Sequence, residues 1–289
     1  MTASSLDLSN RRELRLLADL VTAIHRAKPD ARFMLVGAMA RDMLLSFAHG
    51  IPSRRATEDL DFAFAMADWP AYEALRAALI AGGAFADVAG MAHRLSFAGH
   101  RVDLIPFGGL ENTDGTLDWP PPQETRMVVL GFREAMRGAV EVKLSGGVIV
   151  EVASLPALAL LKLFAWGDRR YVQRGKDAGD LWLLLRNYLD AGNRERLYVE
   201  AAHLLELQGY DDDLAGAWLL GADARRLLVV NDEVNDATLA IALTLLTGDP
   251  RDGPMQIGAD METTHLQHAV DMLGAFRAGL SGAVSFADA

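Results

Sequence analysis

The sequence contains no cysteine among its 289 residues. That excludes disulfides, thiolate metal centres and a cysteine nucleophile. It fits a reducing cytoplasm, where disulfides are rare. Basic residues are also scarce: 28 Lys and Arg stand against 39 Asp and Glu, for a formal net charge of −11. This balance argues against general nucleic-acid binding, which needs clustered cations facing phosphate; a local basic patch remains compatible with it. Long apolar runs are missing. Charged residues interrupt every apolar stretch before the ~18 residues that a membrane span needs. The opening segment, MTASSLDLSNRREL, lacks the apolar core of a secretory signal. These absences predict a cytoplasmic protein with no membrane partner.

What is present points to a folded enzyme-sized chain. Apolar residues make up 51% of it, enough for a sizeable core, and the length suits one large domain or two ordinary ones. Leu14, Leu16, Leu17, Leu20, Val21 and Ile24 recur at helical spacing across 11–27. Phe33 to Val36 is a short apolar run that stops at Gly37, as a buried strand does, and 38–48 reads as a helix. Leu60 to Met66 is a second strand. Asp68 and Pro70 are placed to cap and start a helix that ends at Gly82-Gly83. The segments 94–98 and 101–107 flank Gly99-His100 and predict a hairpin with a two-residue turn. Residues 108–126, rich in Gly, Pro and Asp and including Trp119, predict a long surface loop. Short strands follow at 128–132, 140–144 and 148–152. Beyond Ser154 the pattern is helical: 155–166, 178–189, 195–207, 213–228, 235–246 and 263–280. Strands mixed with helices, then helices alone, predict two domains, 1–153 and 154–289.

The carboxylates carry the chemistry. Asp59 and Asp61 lie two apart in an apolar strand and so point to the same face. Like charges side by side repel and make a poor core element unless a divalent cation lies between them. Asp103, in Arg101-Val102-Asp103-Leu104-Ile105, adds a third carboxylate with apolar flanks. Three such groups on neighbouring strands suit two Mg²⁺ ions that activate a hydroxyl and stabilise leaving pyrophosphate. Upstream, Val36-Gly37-Ala38 leads a strand into a helix. A glycine there lets backbone approach a phosphate, and the helix start offers unpaired N–H groups.

The combination resembles the DNA polymerase β-type nucleotidyltransferase pattern: LVGAMARDMLL, then RRATEDLDFAF, then RVDLIPF. More specifically the chain resembles the AbiEii-like family, which includes the MenT-type toxins. Their Arg-x-Thr/Ser-x-Asp-x-Asp element is matched by Arg55, Thr57, Asp59 and Asp61. Their helical Lys is matched by Lys162, and their basic-Asp-x-x-Asp element by Lys176, Asp177 and Asp180. The resemblance reaches about residue 185. It implies an α+β chain: a polymerase β-type nucleotidyltransferase fold, with a mixed sheet and flanking helices, followed by an all-α lobe. It implies a Mg²⁺-dependent enzyme that transfers NMP from an NTP to a hydroxyl. Some family members modify tRNA ends and are toxins with a cognate antitoxin.

On this reading Asp59, Asp61 and Asp103 ligate metal, and Lys162, Asp177 and Asp180 complete the catalytic set. Gly37, Ala38, Arg41, Arg55, Thr57, Lys162 and Lys176 serve the nucleotide. Arg169, Arg170 and Arg174 add to a basic loop on an acidic chain, suited to a triphosphate or an RNA acceptor. Met39-Ala40-Arg41-Asp42-Met43-Leu44-Leu45 is also similar to an element of CCA-adding enzymes and poly(A) polymerases, whose base-reading motifs are not found downstream. Ala38 stands where Gly or Ser is usual, and alanine brings no hydroxyl to a phosphate. A nucleotide-binding module that kept the fold is therefore the alternative to an active transferase.

Overall fold

Burial of the first apolar segments sets the architecture of the N-terminal part. The computed structural model describes residues 5–53, 59–120, 126–173, 175–207, 209–230, 233–248 and 253–286. The chain forms two compact units, Met1–Ser154 and Leu155–Ala289. Among the described residues no helix is long and apolar enough to cross a membrane.

The first unit runs β1 (Ser5–Asp7), α1 (Arg15–Ala27), β2 (Phe33–Val36), α2 (Gly37–Asp42), β3 (Asp59–Met66) and α3 (Trp69–Ala81). It continues with β4 (Phe85–Asp87), β5 (Arg94–Phe97), β6 (His100–Gly108), β7 (Thr116–Asp118), β8 (Arg126–Val128), α4 (Phe132–Arg137), β9 (Val140–Lys143) and β10 (Ile149–Val152). Eight of these strands make one mixed sheet in the order β1-β9-β10-β2-β3-β6-β5-β4. At its centre β3 pairs antiparallel with β2 and parallel with β6. Strand alternation explains the two faces of β3. Leu60, Phe62 and Phe64 are buried on one side, where the rings of Phe33, Phe62 and Phe64 touch one another. Asp59 and Asp61 are left on the other. Helix α1 buries Leu17, Leu20, Val21 and Ile24, the i, i+3, i+4, i+7 stripe of an amphipathic helix.

Local signals act where their chemistry requires. The Asp68 carboxylate accepts a hydrogen bond from the Ala71 N–H at 2.8 Å, satisfying one of the donors a helix start leaves open. Three expectations are corrected. The β5–β6 turn is Ala98-Gly99, one residue earlier than expected, because Phe97 pairs with His100. Both turn residues have positive φ, 49° and 83°, as a type I′ turn demands. The stretch 108–126 is no mere surface loop. It holds one strand of the β7–β8 hairpin, and Trp119 is buried against Trp69, Tyr72 and His93, because a large apolar ring gains more from the core than from water. The strand expected at 128–132 stops at Val128. Gly131, at φ 87°, turns the chain into α4 instead.

The second unit contains α5 (Leu155–Arg169), α6 (Lys176–Asn187), α7 (Arg194–Glu200), α8 (Asp212–Leu227), α9 (Asp236–Thr247), α10 (Pro254–Asp260) and α11 (Leu266–Ser281). Two two-residue strands, β11 (Val229–Val230) and β12 (Glu233–Val234), lie between α8 and α9. Helix α10 was not anticipated; it starts at Pro254, which suits a first helical turn. Helices α8 and α11 approach so closely that glycine is required on both. A Cβ on Gly279 would lie 2.0 Å from the Trp218 carbonyl oxygen, and one on Gly221 would lie 2.1 Å from that of Phe276.

Backbone cannot yield as a side-chain tip can. Gly279→Ala is therefore expected to cost about 1–3 kcal/mol, the range of overpacked cores, read as a lower urea midpoint. An unchanged midpoint would show that the α8–α11 contact is looser than described.

Candidate active site

The charged face of the central sheet is built by register. Asp61 of β3 stands opposite Asp103 of β6, and Asp59 stands opposite Arg101. On the far side of β6, Arg94 of β5 stands opposite Asp103, and Ser96 opposite Arg101. Directly paired residues share a face, and residues two apart repeat it. The face therefore presents one row of Arg94, Asp103 and Asp61, and a second of Ser96, Arg101 and Asp59. Arg94 binds Asp103 by a fork: Nε to Oδ1 at 2.6 Å and Nη2 to Oδ2 at 2.8 Å. The hydrogen bond to Asp103 raises the Arg94 pKa above its usual value against the opposing effect of partial burial. Arg101 Nε lies 2.6 Å from Asp59 Oδ1. That oxygen is buried yet accepts no hydrogen bond, so the contact brings charge without alignment.

Gly37 fits against this face. Its φ is +69°, and a Cβ there would fall 2.1 Å from Asp61 Oδ2. The positive φ favours glycine, and the tip of the Asp61 carboxylate lies where a Cβ would go. Gly37 opens α2, with Ala38 half-buried beside it, and the helix continues as a π-type turn over Met43–Phe47. Arg41, expected to serve the nucleotide, is buried and hydrogen-bonds Asp42 through Nε at 2.8 Å and Nη2 at 2.6 Å. Arg55 and Thr57 lie outside the described residues.

The donor set can be tested against the expected Mg²⁺. Asp59 has a buried oxygen, Oδ1, that accepts no hydrogen bond but lies 2.6 Å from Arg101 Nε, and the Asp61 carboxylate lies against Gly37. Hard carboxylate oxygens side by side on one face suit a hard divalent cation. Arg94 donates one hydrogen bond to each oxygen of Asp103, which leaves further lone pairs on both. Among the described residues, the His, Asp and Glu groups whose ligand atoms converge within 4.8 Å are Asp211, Asp213 and His268, not the three strand carboxylates. Those three have other partners. Asp211 caps α8 by accepting from Leu214 N at 3.0 Å. Asp213 lies 3.0 Å from His268 Nε2 and 3.6 Å from Arg186 Nε.

The second unit gathers its own charged cluster. Lys162 lies in α5 and is buried rather than extended to water. Its Nζ is 2.5 Å from Asp180 Oδ2 and 3.2 Å from Asp177 Oδ1. Asp177 is in the first turn of α6, but its side chain makes no cap there. It points inward instead, 1% exposed, and accepts a fork from Arg169 at 2.7 and 2.8 Å. Burial pushes the Asp177 carboxyl up. The Arg169 hydrogen bonds and the Lys162 charge outweigh that, and the net shift is below the ordinary value. Lys176 is exposed. The Arg170 guanidinium stacks on Trp166 and Tyr171 at 4.9 and 4.8 Å, and Arg174 lies outside the described residues. Arg94, Arg101 and the Arg169 fork were missed in the sequence. Only the strand register and the inward turn of Asp177 reveal them.

A mixed sheet with Asp-x-Asp on a central strand, a carboxylate opposite on the parallel neighbour and a glycine strand-to-helix turn against them define the nucleotidyltransferase class. The chain belongs to the family described as nucleotidyl transferase AbiEii toxin, Type IV TA system, whose model matches residues 19–238. No curated protein matches it. Among solved structures it is similar to the antibiotic-resistance factor ANT(2'')-Ia in solution, at 15% identity over 66% of this chain and 98% of that one, with TM-score 0.37. The crystal structure of ANT(2'')-Ia with adenylyl-2''-tobramycin gives 14%, 65%, 95% and 0.37. An antigenic nucleotidyltransferase-like protein from Paracoccidioides brasiliensis gives 17%, 68%, 91% and 0.40.

The depressed Asp177 pKa makes a pH prediction. A carboxylate whose folded pKa lies below its unfolded value stabilises the fold above the unfolded pKa of about 3.9, and this is lost as pH falls through the folded value. Urea midpoints of the wild type and Asp177→Asn should differ most near neutral pH and converge as pH falls through the lowered Asp177 pKa. A difference that stays constant with pH would show that Asp177 is not stabilised by its charge.

Proposed function

We propose that the protein is a Mg²⁺-dependent nucleotidyltransferase that moves NMP from an NTP to a hydroxyl, such as an RNA or tRNA 3′ end. We further propose that it is the cytoplasmic toxin of a toxin–antitoxin pair. Family membership supports a nucleotide substrate and an antitoxin partner. The single observation that carries the chemistry is that Asp59 and Asp61 share one face of β3, with the Asp61 carboxylate against Gly37. Asp59 and Asp61 would hold the ion, which when bound supplies Lewis-acid charge to phosphate oxygens. Gly37 and Ala38 bring backbone close to the triphosphate, where N–H groups at the start of a helix can donate. Lys162, Lys176, Arg55 and Thr57, the positions that match the family's motifs, are the proposed further nucleotide ligands. In the transfer, the acceptor oxygen bonds to the α-phosphorus as the bond to the β-phosphate bridge breaks. Pyrophosphate leaves, and the hydroxyl proton passes to a carboxylate of this face or to solvent.

A second reading has its own observations. Ala38 brings no hydroxyl, and Asp103 is engaged by Arg94. Both favour a module that binds nucleotide without transferring it.

Incubation of total RNA and protein with each labelled NTP and Mg²⁺, followed by mass spectrometry, separates the two. The transferase reading expects an added nucleotide and pyrophosphate release, both reduced at least about a hundredfold in Asp59→Asn and Asp61→Asn, the scale of losing charge stabilisation in a transition state. Binding of NTP without transfer supports the second reading. Transfer that is unchanged in both variants would sink the assignment of the site.

A further inference from the structure

Charge on the two rows of the sheet face balances only when an anion accompanies the metal. Asp59, Asp61 and Asp103 stand with Arg94 and Arg101, three negative groups against two positive ones. A divalent cation turns that small negative excess into a small positive one. The two arginines are held differently. Arg94 is sheltered, its side chain 19% exposed, and two hydrogen bonds align it on Asp103. The Arg101 side chain is 51% exposed, and its Nε lies 2.6 Å from an Asp59 oxygen that accepts no hydrogen bond. That contact is attraction between charges without a directional hold, so a better-matched anion can draw the guanidinium away. It leaves lone pairs on Asp59 for a metal and opposes one only through like charge. A cation and the Arg101 guanidinium can both stay at this end of the face if an anion joins them.

We propose that Arg101 is a nucleotide-phosphate ligand: it turns from Asp59 to a phosphate when the divalent ion binds, so that ion and nucleotide load the face together. A guanidinium matches phosphate through parallel N–H donors. Register puts Arg101 on the face that carries Asp59 and Asp61, and Gly37 at the start of α2 lies against Asp61. Metal ligands, guanidinium and helix start thus border one surface. Without nucleotide, Arg101 weakens metal binding at Asp59; with nucleotide, it adds to binding. The inference rests on the reading of Asp59 and Asp61 as metal ligands.

Two titrations of the full chain test it, with circular dichroism confirming the fold of each variant. In the first, Mn²⁺ is added without nucleotide and followed by electron paramagnetic resonance. Arg101→Gln should bind Mn²⁺ about tenfold more tightly than the wild type, and Arg101→Lys, which keeps the charge, should follow the wild type. In the second, ATP, GTP, CTP and UTP are each titrated by calorimetry at saturating Mn²⁺, and the tightest is compared across the variants. Arg101→Gln should bind it about tenfold more weakly, the scale of one charge-assisted hydrogen bond. Opposite shifts in the two titrations support the inference. A purely structural Arg101 would weaken both in Arg101→Gln, and that result, or no change in either, overturns it. If Arg101→Gln does not fold, Arg101→Thr, which suits a strand, is held to the same two outcomes. Mn²⁺ binding that is lost in Asp61→Asn but indifferent to Arg101 overturns the role of Arg101 and leaves the Asp59–Asp61 reading intact. No Mn²⁺ binding in the wild type or in Arg101→Gln removes that reading, and the inference with it.

Discussion

Two carboxylates directly opposite each other on neighbouring strands need cations, and the N-terminal unit is organised around that need. Asp61 and Asp103 are paired by the parallel register of β3 and β6. Two like charges about 5 Å apart repel by roughly 3 kcal/mol at an effective dielectric constant near 20. Arg94, opposite Asp103 on β5, and Arg101, opposite Asp59 in the neighbouring row, supply counter-charge from within the sheet. The other face of β3 cannot take part, since Leu60, Phe62 and Phe64 are buried there. A slip of one residue would drive the aspartates into that core and the phenylalanines out of it. Core and charged face thus enforce the same register.

The helical unit solves the same problem with a different stock of residues. Lys162 and Arg169 offset Asp177 and Asp180, two cations against two anions, in a cluster largely sheltered from water. A second set joins Arg196, Arg226, Glu200, Asp223 and Tyr188, again with charges matched at short range. Buried ions survive only when paired and hydrogen-bonded. A lysine inside the apolar α5 is therefore tied to the acidic start of α6, and that tie fixes where the two helices meet.

Much of this was legible in the sequence, for physical reasons. A period of two put Asp59 and Asp61 on one face, and a glycine between strand and helix marked the close approach at Gly37. Asp68 and Pro70 announced the start of α3. Lys162, Asp177 and Asp180 were singled out by family resemblance, while their contact with one another depends on packing that spacing does not encode. Arg94 was missed for a sharper reason. Register in a hairpin is set by its turn, and a turn at Gly99-His100 would put Ser96, not Arg94, opposite Asp103. The observed turn at Ala98-Gly99 moves the pairing by two residues and brings in the arginine. The turn was misjudged because Ala98 adopts positive φ, which residue type does not advertise. Trp119 was hidden in the same way, by a Pro-rich context that reads as surface while its ring fills a core of aromatic neighbours.

Asp59 and Asp61 are the proposed divalent-cation ligands of this sheet face. The most direct measurement is an anomalous-difference map from crystals soaked in Mn²⁺. The expected result is a peak at the Asp59 and Asp61 carboxylates. A map with its peak at Asp211, Asp213 and His268, and none at the strand carboxylates, would contradict it.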